Sequence, residues 1–513
     1  MKKNLLYILM MLLGFGACDL NYEDNPNEAA VPPTFSIFND AVKEMVDDSR
    51  DEWFHGRFTL GTMQYWAQTE YTEEDRYQYR ESMRETWEDF YINLENFRKV
   101  IQFNEDENLK VEMSKYGSNA NQIAAARIMM AWSFNFMADS WGDIPYWSYS
   151  TEDADFQALD MDNEVFAPVY APQSKIYPDL LKQLSEAADM LETSEIVFSS
   201  GDPIYGGDAA MWKKFANSLR LRIATKILGV YPAAQAHIDD AIADGVFTSN
   251  DDNAVLAFEA NQTNGSPMMV AFETRNDFAV TSCFVELLDG SRGSYGADPR
   301  LEKYAQPNQF GNYVGVPNGV SNNTSVAFKW ESLPGYDIIA TDGSGTIWQV
   351  GVESLMTYAE VAFLLSENNA WDQTQYENGV KASMDQWGVA AADRDAFVAA
   401  LPAASAENVM TQKYVALYMD GNTAWCNYRR TGYPTTLNLP GSSYSMNVVT
   451  DGEGTVETFN YTFEPINSAV TDIPYRMEYP SQESTLNAAN YKAAVAKLAD
   501  GDEITSKLWW DVN

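Results

Sequence analysis

Side chains able to do acid–base or nucleophilic chemistry are scarce in this chain of 513 residues, which has two histidines, His55 and His237, and three cysteines. His237, in AAQAHIDDAIADG, reads as a helix-surface residue. Two imidazoles leave little for a histidine base or a zinc site. No G-x-S-x-G, G-x-G-x-x-G, Walker A, H-E-x-x-H or C-x-x-C pattern occurs. Carboxylates are the exception, at 74. Hydrolysis of a glycosidic bond needs only two of them at the right separation, so counting does not decide that case. Asp153, Asp155, Asp160, Asp162 and Glu164 form an oxygen-rich cluster of the kind that holds Ca²⁺. The glycine and spacing of an EF-hand are missing, and a solvated acidic loop is the reading. No cofactor is expected.

Aromatic side chains are the more informative group. Met63 to Arg80, MQYWAQTEYTEEDRYQYR, sets Tyr65, Trp66, Tyr71, Tyr77 and Tyr79 among charged and amide side chains. Such flat faces beside polar groups suit the C–H faces and hydroxyl rims of sugars, and equally the apolar side chains of a peptide. Trp66, Tyr71, Arg76 and Tyr77 are therefore candidate ligand-binding residues. The competing reading puts two or three of these aromatics in the core at helical spacing, Trp66 with Tyr77 foremost. A second candidate group is the loop around Trp330, Tyr336 and Trp348.

Cys18 calls for different chemistry. It follows a short basic start, Lys2-Lys3, and an apolar run from Leu5 to Phe15 that is too short to span a bilayer. Gly16 and Ala17 supply the small residues that a signal peptidase requires. A cysteine in this place is the thiol that takes up diacylglycerol in a bacterial lipoprotein, and Phe15 departs from the leucine usual there. Asp19, Glu23 and Asp24, then Asn25-Pro26-Asn27, make a polar tether. The expectation is a leader over 1–17, a tether over 18–33 and a body held on a membrane by its lipid alone. A net formal charge of −40 argues against nucleic acid, which needs basic patches. Cys283 and Cys426 are expected to be buried free thiols.

The elements that must position these residues are mostly helices. Ile123, Ala126, Met130, Phe134, Met137 and Trp141 lie on one face at a 3.6-residue period, and Trp212, Phe215, Leu219, Ile223 and Ile227 do the same after Gly206-Gly207-Asp208. Further helices read at 34–50, 80–103, 173–193, 234–245, 353–368, 374–387, 406–420 and 487–498. Consecutive helix pairs with short breaks predict a mainly α fold, a helical-hairpin solenoid of tetratricopeptide type. Residues 34–513 read as one domain, with helical repeats mainly over 34–246 and 351–425. Residues 247–350 and 426–485 are loop-rich, with a turn at Pro317-Asn318-Gly319. Alternating Phe459, Tyr461 and Phe463 after Asp451-Gly452-Glu453-Gly454 predict a β-hairpin. Asn217, Arg220, Arg429 and Arg430 read as braces of loops rather than ligand contacts.

Several motifs, taken in order, resemble the SusD/RagB family of outer-membrane lipoproteins, in its SusD-like 2 branch. They are Trp141-Gly142-Asp143-Ile144-Pro145-Tyr146, Gln173-x-x-Ile176-Tyr177, Trp212 to Arg222, Asp298-Pro299-Arg300-Leu301, Met356 to Val361, Gln412-Lys413-Tyr414, Arg429 to Pro434, and Trp509-Trp510-Asp511. Leu365-Ser366-Glu367 departs from the Ala-Glu-Ala-like helix end expected there. The resemblance implies a tetratricopeptide-like helical fold with the loop-rich part packed on it. It also implies a TonB-dependent outer-membrane transporter as partner, for which the chain is the lid, and capture of oligosaccharides, or alternatively oligopeptides, at the cell exterior. A lid without its own ligand is the remaining alternative. Relatives of this kind bind without cleaving, so no enzymatic activity is expected.

Overall fold

The computed structural model of the chain describes residues 31–261, 263–273, 276–322, 330–341, 346–347 and 352–512. The leader, Cys18 and most of the tether lie outside these residues, as does Trp348. The apolar periods form helices close to where their spacing puts them. The first six are α1 (Thr34–Ser49), α2 (Thr86–Glu105), α3 (Asn119–Trp141), α4 (Gln173–Met190), α5 (Ala209–Ile227) and α6 (Ala234–Asp244), each packing on the next. This is the nearest-neighbour stacking of a tetratricopeptide-like solenoid. The glycine pair before α5 leads into a working cap, since the Asp208 carboxylate accepts from the Ala210 and Met211 amides at 2.9 and 3.2 Å. Helix α3 departs from the one-faced expectation. It is buried on every side from Asn121 to Trp141, as a helix lying between others must be. Its polar residues are accordingly paired, Asp139 with Lys226 among them.

In the second half, α7 (Ser282–Asp289) stands inside the loop-rich part, followed by α8 (Tyr358–Asn368), α9 (Gln373–Gln386), α10 (Ala391–Ala399), α11 (Ala406–Ala416), α12 (Gly421–Thr431) and α13 (Ala488–Val495). The helix expected from 353 begins only at Tyr358, because Thr357 turns its hydroxyl back to cap the Glu360 amide at 3.3 Å and the preceding residues are a strand. The longer of the strands are β1 (Trp66–Gln68), β2 (Ala254–Ala257), β3 (Phe278–Val280), β4 (Val352–Met356), β5 (Ser443–Val449) and β6 (Val456–Thr462). They pair antiparallel as β1–β3, β2–β4 and β5–β6.

The hairpin forms with Tyr461 opposite Tyr444 and Phe459 opposite Met446. One face packs on a small cluster made by Ala67, Ala279, Val316, Met446 and Val448. Phe463 leaves the hairpin to become fully buried, and the chain passes over its ring at Gly319. There φ is +73°, and a Cβ would lie 2.2 Å from the ring, so the turn read at 317–319 requires glycine on both counts. Cys283 and Cys426 are buried free thiols.

Candidate functional site

Strand pairing decides the fate of the first aromatic segment. Trp66 lies in β1 opposite Val280, fully buried, with its indole N–H donating to the Tyr418 hydroxyl at 2.9 Å and its ring against Phe272 and Phe278. Tyr65 is buried as well, stacked on Tyr414 at 4.6 Å. Tyr77 is 3% exposed and meets Phe463 at 5.2 Å between ring centres. Trp66 and Tyr77 are thus core residues in this fold and offer no face to a ligand, which corrects the expectation for both. The reason is that β1 is covered by β3 on its edge and by Met446 and Val448 of the hairpin at Ala67, while Tyr77 sits in a separate cluster with Phe463, Val470 and Ile504.

Two of the four candidates in this segment stay at the surface. Tyr71 is 46% exposed, and its amide donates to Asn322 Oδ1 at 2.8 Å. Arg76 is half-buried, and its Nε donates to the Glu464 carbonyl at 2.9 Å while its own carbonyl accepts from the Ile466 amide. Beneath them Asp75 accepts the Gln68 amide at 2.6 Å, and burial holds its carboxyl up at about 7. The corner is therefore rigid, tied to the loop at Asn322 on one side and to the strand following the hairpin on the other.

The second group is built on loops beneath the hairpin turn. Trp330 is half-buried, its carbonyl accepting from Asn308 Nδ2 at 2.9 Å, and its ring comes within 3.9 Å of where a Cβ on Gly452 would sit. Gly454 crosses the Phe310 ring, 2.7 Å from an added Cβ. Tyr336 is 49% exposed, and its phenol is near enough to the half-buried Tyr313 to raise that residue's pKa, behind the larger effect of burial. Glu331 is buried below this layer, accepting the Val449 amide at 3.3 Å, with its other oxygen unpartnered and its carboxyl pushed up by burial to about 8. Phe310 and Tyr313 were not among the sequence candidates. Their signal was present, two aromatics three apart in an Asn- and Gly-rich stretch, QFGNY.

The remaining sequence candidates have structural partners. Lys175 bridges Asp153 (2.8 Å) and Asp155 (2.7 Å), and Arg98 reaches Asp162 at 3.1 Å. Among the described residues, no group of three or more His, Cys, Asp or Glu is arranged to hold a metal ion. Arg429 donates to the carbonyls of Tyr475 (2.6 Å) and Asp139 (3.0 Å), and Arg430 holds Glu367 through two nitrogens. Asn217 braces the Gly245 carbonyl at 3.1 Å. His237 is half-buried rather than at the open surface, because Arg220 donates to its Nδ1 at 3.1 Å.

Comparison with known proteins adds the family. The chain matches the SusD-like family described as "Starch-binding associating with outer membrane" over residues 26–451, and the family "Susd and RagB outer membrane lipoprotein" over residues 402–511. No curated protein matches it. Among solved structures it is similar to a SusD homolog from Parabacteroides distasonis, at 22% identity and TM-score 0.73, with 94% of this chain and 98% of that one covered. A chitin-binding protein matches at 24% identity and TM-score 0.69, covering 94% and 100%. A chitin-binding SusD homolog from Flavobacterium johnsoniae matches at 22% and 0.69, covering 93% and 99%. At these identities the structural likeness establishes a shared fold. With the family match running through most of the sequence, the chain belongs to the SusD-like family of outer-membrane-associated binding proteins.

Proposed function

We propose that this protein captures oligosaccharides at the outer face of the outer membrane and passes them to a TonB-dependent transporter, over which it sits as a lid. The observation that carries this reading is the set of aromatics left open on a rigid scaffold: Tyr71 and Tyr336 half-exposed, with Trp330, Phe310 and Tyr313 half-buried around the hairpin turn. Stacking on a few such rings with hydrogen bonds from neighbouring amides supplies about 4–8 kcal/mol, a millimolar to micromolar affinity suited to a handoff. The family description speaks of starch-binding and two structural relatives of chitin-binding. Both are neutral glycans, which favours oligosaccharide over peptide. The ligand leaves chemically unchanged.

Titration calorimetry of the form beginning at Asp19, against neutral oligosaccharides and oligopeptides, tests the proposal. Saturable binding of one oligosaccharide class, without cleavage, is the expected result. Tyr336→Ala or Trp330→Ala should weaken it about tenfold, the loss of ~1.4 kcal/mol of stacking. Binding only to peptides, or to nothing while the fold is intact, would rule the reading out.

The anchor belongs to the same proposal, with diacylglycerol carried on the Cys18 thiol. Replacing Cys18 by Ser should move the protein from the membrane fraction to the soluble one. Retention in the membrane after a high-salt wash would contradict a lipid anchor at this residue.

A further inference from the structure

Apart from the loop aromatics, a cleft of about 460 Å³ opens between the β2–β4 pair, the end of α9 and the turn that joins α11 to α12. That volume lies within the range of small-ligand sites, roughly 300–1,000 Å³. Its lining is one-sided in charge. Four carboxylates face it, from Asp337, Glu353, Glu360 and Asp420, with no lysine or arginine among the described lining residues. Two of the four are engaged: Glu360 accepts from Arg222 Nε at 2.9 Å, and Asp420 from Arg50 at 3.2 Å. Glu353 is held only loosely, by Ser266 and Arg50. Asp337 is exposed at the rim, directly after Tyr336 in the chain.

Glu353 is 6% exposed, yet no hydrogen bond shorter than 3.5 Å reaches it. Its polar neighbours are Ser266 Oγ at 3.5 Å and Arg50 Nε at 3.8 Å, and that guanidinium already donates to Asp420 and to the Ser354 carbonyl. Asn250, also on the lining, donates its amide nitrogen to the Ala382 carbonyl at 2.9 Å, while its Oδ1 is buried without a partner. The half-buried ring of Trp387 completes the lining, set edge-on to Tyr304 at 4.9 Å. A buried amide oxygen with no donor, next to a buried carboxylate held only at 3.5 and 3.8 Å and an indole, is costly to leave so unless a ligand supplies further hydrogens. The donors must be positive to match the charge, and a cation gains further from the aromatic face.

We propose that this cleft is a second binding site, specific for an amino-sugar unit whose protonated amine is held by Glu353 and Asp337 and whose ring packs on Trp387. The proposal rests on the oligosaccharide reading above and adds a subsite of different charge preference. Burial holds the Glu353 carboxyl up at about 7, against the pull of Arg50, so an arriving ammonium replaces a proton that is loosely held near neutral pH.

The test compares an oligomer of glucosamine with its fully N-acetylated counterpart of equal length, whose nitrogens are neutral and carry acetyl groups. Calorimetry on the form beginning at Asp19 should show glucosamine binding that Glu353→Gln weakens at least tenfold. Asp337→Asn, a surface change that leaves the core alone, should weaken it several-fold. Glu88→Gln removes an exposed carboxylate elsewhere and should change nothing, which separates the cleft from the general pull of a chain at −40. Equal loss in Glu88→Gln, or none in Glu353→Gln and Asp337→Asn, overturns the proposal. If neutral oligosaccharides bind and glucosamine oligomers do not, the cleft proposal falls and the oligosaccharide reading stands. If neither binds, both fall.

Discussion

Replacing Lys226 by Met is expected to lower the stability of the folded chain by about 3–5 kcal/mol, the usual cost of stranding one member of a buried ion pair. Lys226 and Asp139 are 8% and 3% exposed, and they meet at 2.6 Å at the junction of α3 and α5. The ammonium also donates to Asn135 Oδ1 at 2.7 Å and lies 4.7 Å from the Tyr177 ring centre. Asp139 accepts a second bond from the Tyr177 hydroxyl, whose oxygen accepts in turn from the Trp510 indole at 3.0 Å. Methionine keeps the volume of lysine but leaves a buried carboxylate without its countercharge. Because desolvation is the dominant cost, adding Asp139→Asn to Lys226→Met should recover much of the loss, since asparagine still accepts from Tyr177 and carries no charge. Urea unfolding followed by tryptophan fluorescence measures both variants. A single variant within 1 kcal/mol of the parent, or a double variant that merely sums the two losses, would show that the pair is solvated and not structural. The consequence reaches the closing Trp509-Trp510-Asp511 motif, whose place in the fold is to seal this junction of three helices.

The same network shows what was legible in the sequence and what was not. Apolar spacing located the helices well, because a 3.6-residue period survives any tertiary context that buries one stripe. It did not reveal that α3 is buried all round, since Ser133, Asn135 and Asp139 look like a solvent face until partners arrive from distant segments. The strand at Val352–Met356 was absorbed into the following helix for a related reason: its pairing partner, Ala254–Ala257, lies far back in the chain. Trp66 and Tyr336 are equivalent in sequence terms, aromatics among polar neighbours. One became core because Phe278–Val280 closes over its strand, and the other stayed open on a loop. The cleft was invisible for the same cause. Asn250, Asp337, Glu353 and Trp387 come from four separate stretches, and no local pattern joins them. Braces were easier to read, because Arg429 and Arg430 precede a turn, and turns need their carbonyls satisfied.

The melting temperature is expected to be higher at pH 5.5 than at pH 8, by several degrees. Burial, aided by neighbouring acids such as Asp89 and Glu44, raises Asp48 to about 8. Burial raises Glu331 to about 8, Asp75 and Glu353 to about 7, and Asp51 to about 6. Each group has a folded pKa above its unfolded value near 4, so the folded state holds more protons across that interval. Stability from these groups is fully present below about pH 4 and is lost as pH rises through their folded values, up to about 1.4 kcal/mol per group for each unit of pH. Lys413, lowered by burial to about 8, is charged in both states below that point and adds no slope there, while His55 and His237, lowered by burial, act in the opposite direction around pH 6.5 and offset part of the effect. Self-repulsion in a chain at −40 acts in the same direction, but salt screens it, whereas the buried carboxyls are largely out of its reach. Scans at pH 5.5 and 8 in low and high salt therefore separate the two contributions. Glu331→Gln is neutral in both states, so it should raise the melting temperature at pH 5.5 and raise it by more at pH 8. A melting temperature that is flat across this range at high salt, or one that climbs toward pH 8, would mean that these carboxyls ionise in the folded state as they do in water. The layer of loops above Glu331 would then have to be open to solvent, and the aromatics it carries would not be rigidly held for a ligand.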